Sequence, residues 1–450
     1  MASVSTNDVV NLFKKVYGNL RDLQPEDYML QKDLPFSQKE KVGESYVEAM
    51  VLSSEMGFTL GGSGMEAFDL NPAVAGAVKQ TTVQPYTVVL ASVVPWGVLS
   101  RSAGGGERAF FDGTKHIVKN NLKSHGKVLE VMRIHGQSPA LLGYVSYATQ
   151  TYRGVAFTNG GGTLSTVNGN ITFTGGVSTA AQAILVAPGN FAAGIWVGSE
   201  GVTVEQVDYL GNVLAYGKLI GSDADQGVLF VDFTPVAATA TSGSGSVRLA
   251  WQGQESAKDM LGIKRIMTTA GNLFGIDNTK YSLWKGNYIN QNPTGAGGTK
   301  FTFDSLQSGV ASAVNRGGLD GDLSVYVNPR TWKTLISTEA GRRVYDKSYQ
   351  TGEAENGMEA IMFYHQAGKA MIKAHRMVME GDVMALHLDD WTRSGSAEVS
   401  FTVPGIDKEI IFPLENQAAM AFRSFSDQYI FGHAPARSIF WSGINDESAT

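Results

Sequence analysis

The chain has 450 residues, 43% of them hydrophobic and only 17% charged, which is enough apolar material for the cores of about three domains. Cysteine is absent, which excludes disulfide scaffolds, thiolate metal sites and cysteine nucleophiles. The formal net charge of −6 excludes the basic character of a dedicated nucleic-acid-binding protein. No signal peptide and no apolar run of 18 residues is found, so no membrane partner is predicted.

The N-terminal residues predict a helix followed by an extended arm. Thr6 or Asn7 can cap a helix over residues 6–21. Its apolar positions fall on one helical face: Val9, Phe13, Val16 and Leu20. Residues 21–43 are charged and interrupted by prolines, so residues 1–43 together are predicted to form an arm rather than a core.

Residues 44–103 predict two extended runs around a flexible tip. The tip, residues 57–64, contains four glycines. The run 83–94 is β-branched and is taken as the return run, and Pro85 near its start is typical of an edge strand. Because a hairpin of this size is marginal alone, it requires a partner surface.

The pattern then changes to the helical period and predicts one long helix from Glu107 to His135. Its apolar positions are Phe111, Val118, Leu122, Leu129 and Met132. A row of lysines, Lys115, Lys119, Lys123 and Lys127, lies on another face. This row is either a contact for a polyanion or acidic neighbour, or an ordinary solvated helix face.

Residues 154–253 differ in composition from their surroundings and predict an inserted, separate all-β module. Residues 154–199 contain no Asp, Glu, Lys or Arg, and glycine-containing turns separate short apolar runs.

The rest of the chain is predicted as a helix over Ser305–Asn315 ending at Gly317, a strand over Leu323–Val327, and a helix started by Asn328 and Pro329. Residues 358–444 are predicted mostly as strands, with a turn at 380–382, and 445–450 as a flexible tail.

Motifs for catalysis or cofactor binding are not found. The phosphate-cradling glycine loop and the nucleophile elbow are absent, and Gly62 and Gly64 lack a third glycine. The seven histidines form no metal-binding motif, although His365 and His375 were candidates for strand neighbours across a turn. The pairs Asp223/Asp225 and Asp320/Asp322 lack the rest of a calcium loop and are interpreted as turn residues. No catalytic, cofactor-binding or metal-binding residue is therefore assigned, no cofactor is predicted, and the chain is not predicted to be an enzyme.

Two local patterns and the order of elements point to a family. The first pattern is Phe303-Asp-Ser-Leu-Gln-Ser-Gly-Val followed by Asp322-Leu-Ser-Val-Tyr-Val-Asn-Pro-Arg-Thr-Trp, and the second is Arg423-Ser-Phe-Ser-Asp-Gln-Tyr-Ile-Phe. With an arm, an extended loop and a long helix before them, they resemble the major capsid protein of tailed double-stranded-DNA bacteriophages, the Hong Kong ninety-seven type. The resemblance covers most of the chain except the insertion.

The resemblance implies an α+β fold with assigned parts. Residues 1–43 would be the N-terminal arm, 44–103 the extended loop, and 104–153 with 358–444 the peripheral domain with its spine helix. The second of these segments would also complete the axial domain, built largely from 254–357. Residues 154–253 would be an inserted all-β domain.

The implied function is structural. Copies of the chain would assemble in the host cytoplasm as hexamers and pentamers of an icosahedral virion shell around double-stranded DNA. A separate scaffolding protein, a portal and a decoration protein would be partners. Mild acidity suits this function, because a basic lining would bind the genome through counterion release. Two alternatives remain open: an encapsulin-type compartment with protein cargo, and a β-rich carbohydrate-binding or carbohydrate-active protein.

Overall fold

The computed structural model describes residues 28–37, 44–64, 67–96, 107–145, 150–152, 155–157, 182–187, 189–233, 235–236, 247–254, 258–292, 298–343, 361–401, 411–413 and 417–445. The helix predicted over 6–21 and the tail 446–450 lie outside these residues. No helix in the described ranges combines the length and the apolar character needed to cross a bilayer.

Six α-helices are present in the described residues: α1 (Met29–Asp33), α2 (Glu107–His135), α3 (Ala193–Trp196), α4 (Ile263–Thr268), α5 (Phe303–Gly317) and α6 (Pro329–Arg343). The strands of the first part are β1 (Phe36–Ser37), β2 (Tyr46–Ser53), β3 (Ala77–Val83), β4 (Tyr86–Pro95), β5 (Gln150–Tyr152), β6 (Val155–Phe157), β7 (Gln182–Leu185), β8 (Thr203–Val207), β9 (Val213–Asp223), β10 (Val228–Val231) and β11 (Arg248–Trp251). Those of the second part are β12 (Asn272–Leu273), β13 (Ile276–Asp277), β14 (Asn287–Asn290), β15 (Leu323–Val327), β16 (Ile361–His365), β17 (Gly368–Ala374), β18 (Val383–Leu386), β19 (Trp391–Ser400), β20 (Ile411–Pro413), β21 (Ala419–Gly432) and β22 (Ile439–Ser442). Short 3-10 turns occur at Ser282–Trp284, Leu388–Asp390 and Pro435–Arg437.

The predicted long helix is confirmed as α2, with both ends as expected. Its predicted apolar stripe is only partly the buried face. Leu129 is fully buried, whereas Leu122 is 42% exposed. From Asn121 to His135 the helix is enclosed on several sides, so that Val131 and Ile134 are buried together with four charged or titratable side chains: His125, Glu130, Arg133 and His135.

A five-stranded sheet, here called the peripheral sheet, packs on α2. It contains β1, β19, β21 and β20, and β4 pairs with β21 along ten residues. Among the described residues β21 is the only pairing partner of β4. The predicted edge strand is therefore confirmed, but it does not return the hairpin: that strand is β3, which pairs with β2. The sequence favoured 83–94 because β3 has a polar exposed face and little apolar alternation.

A second sheet, here called the axial sheet, has the strand order β14-β22-β18-β15-β17-β16 and packs against α5 and α6. The predictions for this region are confirmed. Thr302 caps α5 through its side-chain oxygen, and Gly318 ends the helix with φ of 62°, in the left-handed region that glycine tolerates. Asn328 accepts a hydrogen bond from the Arg330 N–H at 3.0 Å, and Pro329 begins α6.

The strands between 182 and 251 form an antiparallel sheet with the order β11-β8-β9-β10-β7, here called the inserted sheet. The structure differs here from the expectation of a separate all-β module. A one-turn helix, α3, lies among the strands, and its Ile195 and Trp196 belong to the same apolar core as Val131 and Ile134 of α2. The inserted sheet is therefore packed as part of the main body, since Ile184, Val204 and Leu229 of its strands belong to the same apolar core.

Candidate assembly surfaces

The hairpin formed by β2 and β3 exposes apolar side chains along its whole length. Val51 and Val78 are direct cross-strand partners, and they are 71% and 58% exposed. Nine large hydrophobic side chains of the hairpin are each more than half exposed: Val47, Val51, Met56, Phe58, Leu60, Phe68, Leu70, Val74 and Val78. A monomeric soluble protein rarely exposes an apolar patch of this extent, which marks the hairpin as an interaction surface.

The tip of the hairpin has a defined shape. Asn71 donates to Thr59 Oγ1 at 2.8 Å through its N–H and to the Phe58 carbonyl at 3.2 Å through its amide. A Cβ on Gly61 would lie 2.4 Å from the Phe68 ring, so glycine allows the aromatic ring to pack over the backbone. The tip thus presents its exposed apolar groups in an ordered arrangement.

The root of the hairpin is anchored to the peripheral sheet by its opposite face. Tyr46 stacks on Tyr429 with ring centroids 5.9 Å apart. Glu48 Oε2 lies 3.0 Å from His433 Nδ1. Thr81 is fully buried and donates its hydroxyl to the Glu48 carbonyl at 3.1 Å. One face of the hairpin is therefore held by its own chain, and the other is exposed.

A buried polar network surrounds Glu130 on α2. Arg133 donates to Glu130 Oε2 at 2.9 Å, and both side chains are completely buried. His375, in the loop after β17, has Nε2 3.1 Å from Glu130 Oε1, while its Nδ1 accepts from the Met377 N–H at 3.1 Å. Since Nδ1 is an acceptor, Nε2 carries the proton that is donated to Glu130. Burial acts to raise the pKa of Glu130, but the hydrogen bond from His375 and the Arg133 charge outweigh it and lower the pKa.

This network also fixes the end of the N-terminal arm. The Leu30 N–H donates to Glu130 Oε1 at 2.7 Å. Asp33 accepts from the Tyr326 hydroxyl and lies 2.8 Å from Lys373 Nζ, both on the axial sheet. Strand β1 then pairs in parallel with β19 of the peripheral sheet. Residues 28–37 therefore connect the long helix, the axial sheet and the peripheral sheet of their own chain.

Two further histidines of α2 are buried as neutral groups. His125 lies between Ser424 and Ser426 of β21, at 2.7 and 2.8 Å, and burial with the nearby Arg133 charge lowers its pKa to about 4. His135 donates from Nε2 to the Met377 carbonyl at 2.7 Å, and burial with the nearby Lys264 charge lowers its pKa to about 3.

The lysine row does not act as one surface. Lys119 is exposed, but Lys127 donates to the Val197 carbonyl at 2.9 Å and to Ser199 Oγ at 2.6 Å. Burial with the nearby Arg376 charge lowers the pKa of Lys127 to about 8, although Glu200 opposes this shift. Lys119 is therefore on the surface, whereas Lys127 makes contacts within the subunit.

The remaining sequence candidates are separated. His365 pairs with Gly368 in the β16–β17 hairpin, whereas His375 is buried beside Glu130, so the two are not strand neighbours. Asp223 accepts from the backbone of Asp225 at 3.0 Å, as a turn residue does. In the ranges that the structure describes, no three metal-ligating side chains cluster.

No family model matches the chain, and no curated protein sequence matches it. The fold, however, superimposes on a chain of the cyanophage A-1(L) capsid asymmetric unit with a TM-score of 0.53, at 8% identity, covering 96% of this chain and 97% of the other. The chain has the Hong Kong ninety-seven type capsid fold of tailed phages. Chains of the Myoviridae phage XM1 capsid (6% identity, 96% and 98% covered, TM-score 0.41) and of the holo-SrpI encapsulin complex from Synechococcus elongatus PCC 7942 (6% identity, 98% and 97% covered, TM-score 0.43) are also similar along their length.

Within this capsid fold, the network around Glu130 was missed by sequence reasoning. Glu130 and Arg133 are three residues apart, a spacing that normally indicates a surface ion pair on a helix. The available signal was their position between Leu129, Val131 and Ile134, in a segment that is apolar on several faces.

Proposed function

We propose that this chain is a major capsid protein that assembles as hexamers and pentamers of an icosahedral shell around double-stranded DNA. The observation that carries the proposal is the ordered hairpin with nine exposed apolar side chains on a chain that has the capsid fold. A contact between two different patches of identical subunits closes into a ring when the rotation permits, as shell capsomers require.

The hairpin is proposed to lie on the next subunit. Between residues 44 and 83 the chain has five carboxylates and one lysine, so the hairpin is acidic as well as apolar. The exposed Lys119 and Leu122 on α2 of a neighbouring copy have the complementary chemistry. This pairing of unlike charges would orient the apolar contact.

The sheets and helices of the chain are assigned to the domains of a capsid subunit. We assign α2 and the peripheral sheet to the peripheral domain, and the axial sheet with α5 and α6 to an axial domain that meets its copies around the five- and six-fold axes. The inserted sheet, within 154–253, would be an insertion that packs on the core of α2. The chain's net charge of −6 favours weak, non-specific contact with packaged DNA. A scaffolding protein, a portal and a decoration protein are the proposed partners in the virion.

The test is electron microscopy with sedimentation of the purified chain, alone and co-expressed with a candidate scaffolding protein. Closed shells or regular sheets with five- and six-fold clusters are expected. A compact monomer under every condition would contradict the proposal. Nuclease-protected DNA inside the shells would support a genome container, whereas a protein cargo in shells without DNA would favour the encapsulin-type alternative.

A further inference from the structure

A cavity of about 590 Å³ lies where the long helix, strand β4 and the inserted sheet meet. Six apolar side chains of its wall are half-buried, whereas Trp251 and Met377, which also line it, are buried; the half-buried ones are Val88, Leu90, Val128, Met132, Val197 and Val202. An apolar wall that is partly open to water is stabilised when another apolar group covers it. The cavity therefore has the character of a binding groove for an apolar helix face.

The rim of this cavity is mainly basic. Lys123, Lys127 and Arg376 line it together with one carboxylate, Glu200. Acidic residues in a chain segment that crosses this rim are stabilised by it.

The N-terminal segment of the chain starts at this cavity. Tyr28, the first described residue, is part of the lining, and its hydroxyl donates to the Lys123 carbonyl at 2.7 Å. The Tyr28 ring packs against Gly126, where an added Cβ would come within 3.3 Å of it. Tyr28 therefore places the start of the described chain beside the half-buried apolar wall.

We propose that residues 6–21 of the same chain occupy this cavity through their apolar face. That face, Val9, Phe13, Val16 and Leu20, is the one the sequence predicts for an amphipathic helix. Residues 22–27 span at most about 20 Å, enough for the helix to turn back onto its own subunit. This connecting segment contains Asp22, Glu26 and Asp27, which complement the basic rim. The proposal concerns the single subunit and does not depend on the proposed function.

Disulfide trapping tests the proposal directly, because the natural chain has no cysteine. The full-length double variant Phe13→Cys with Met132→Cys is oxidised as a dilute, unassembled subunit. An intramolecular disulfide is expected, seen as the loss of two hydrogens by intact mass and as a faster single-chain band without reductant. The matched control is Asn11→Cys with Met132→Cys, since Asn11 lies about 200° from Phe13 around the helix. The control is expected to give several-fold less of this product.

Each other outcome overturns the proposal. Disulfide-linked dimers and larger ladders would show that a neighbour's arm occupies the groove. Equal yields from the two variants, or no disulfide in either, would show that the apolar face of residues 6–21 does not bind there.

A second measurement avoids the new cysteines. The full chain with Phe13→Asp and Val16→Asp should leave the apolar wall open and bind the dye 8-anilinonaphthalene-1-sulfonate several-fold more strongly than the Asn11→Asp control. Equal dye fluorescence in both variants would contradict the proposal. Both readouts use the unassembled subunit, so a failure to form shells in the microscope leaves them unaffected.

Discussion

The hairpin and the C-terminal half of α2 violate the usual distribution of side chains in opposite ways. The hairpin exposes nine large apolar side chains, whereas α2 buries Glu130, Arg133 and two histidines. Within α2 most of these polar atoms have partners from the same chain, namely His375, Leu30, Gln428, Ser424 and Ser426, whereas Arg133 Nε and His135 Nδ1 are buried without a hydrogen-bond partner among the described residues. The difference shows that the buried groups of α2 make their contacts within the subunit, whereas the outer apolar face of the hairpin is exposed.

The largest effect on folding is expected from Glu130→Gln. This change leaves the Arg133 cation buried without its carboxylate, which costs about 3–5 kcal/mol of unfolding free energy. Denaturant unfolding of the unassembled subunit, followed by tryptophan fluorescence, measures it. The control is Asp320→Asn, because Asp320 is 75% exposed in its contact with Arg437 and should matter by about 0–1 kcal/mol. Equal losses in both variants would show that the helix is not completed internally.

Acid should lower the unfolding free energy through the buried histidines of α2. The unfolded chain binds protons at His125 and His135 below pH 6.5, but the folded chain does not until about pH 4 and pH 3. Their contribution is therefore complete above pH 6.5 and decreases as the pH falls, by about 2 kcal/mol for each histidine at pH 5. Asp382, whose pKa is raised by burial, opposes this trend.

Unfolding free energies at pH 7 and pH 5 measure this dependence, and His125→Gln should remove the share of that residue. A stability that does not change between these pH values, or the same pH dependence in the variant, would contradict the prediction.

A smaller effect is expected at the root of the hairpin, which packs against β21. Thr81→Val removes the hydrogen bond to the Glu48 carbonyl and should cost about 1 kcal/mol. Thr82→Val is the matched control, because this neighbouring side chain points to the exposed face. If the control destabilises the subunit as much as Thr81→Val, the inner face of the hairpin is not its anchor.

The smallest effect on folding, with the largest on assembly, is expected at the hairpin tip. Leu60→Asp with Leu70→Asp changes two side chains that are 84% and 81% exposed, so the unfolding free energy should stay within about 0.5 kcal/mol. Shell formation should be lost in sedimentation and microscopy. Ser63→Asp adds charge to the same tip and should preserve assembly. If the double variant still forms shells, the exposed apolar tip of the hairpin is not needed for assembly.

Two deletions of the N-terminal arm are expected to differ, because residues 28–37 contact the rest of their own subunit. Deleting residues 1–43 would remove the contacts of Leu30 with Glu130 and of Asp33 with Tyr326, and would damage the fold itself. Deleting residues 1–27 keeps these contacts, so a loss of assembly in that variant can be assigned to the arm.

Much of the fold could be predicted where the signal is local. The ends of α2, the glycine stop of α5 and the Asn328-Pro329 start of α6 follow from periodicity and capping, which depend on residues a few positions apart. The partner surface of the hairpin, expected from its length and the absence of a core, stays a prediction. The return strand was misplaced, because β3 has no apolar alternation and the hairpin that it forms with β2 is held by tertiary contacts of Tyr46 and Glu48.

The sequence by itself determined the classes of chemistry that are excluded, the long helix, the axial helix–strand–helix unit and the capsid resemblance, since these depend on composition and short-range spacing. Only the tertiary structure decided that the inserted sheet shares the core of α2, that Glu130 and Arg133 form a buried pair, and that His375 joins them from 245 residues away. The physical reason is that burial and hydrogen-bond partners depend on segments distant in the sequence. A spacing of three residues on a helix is the same whether the face is exposed to solvent or buried in a core.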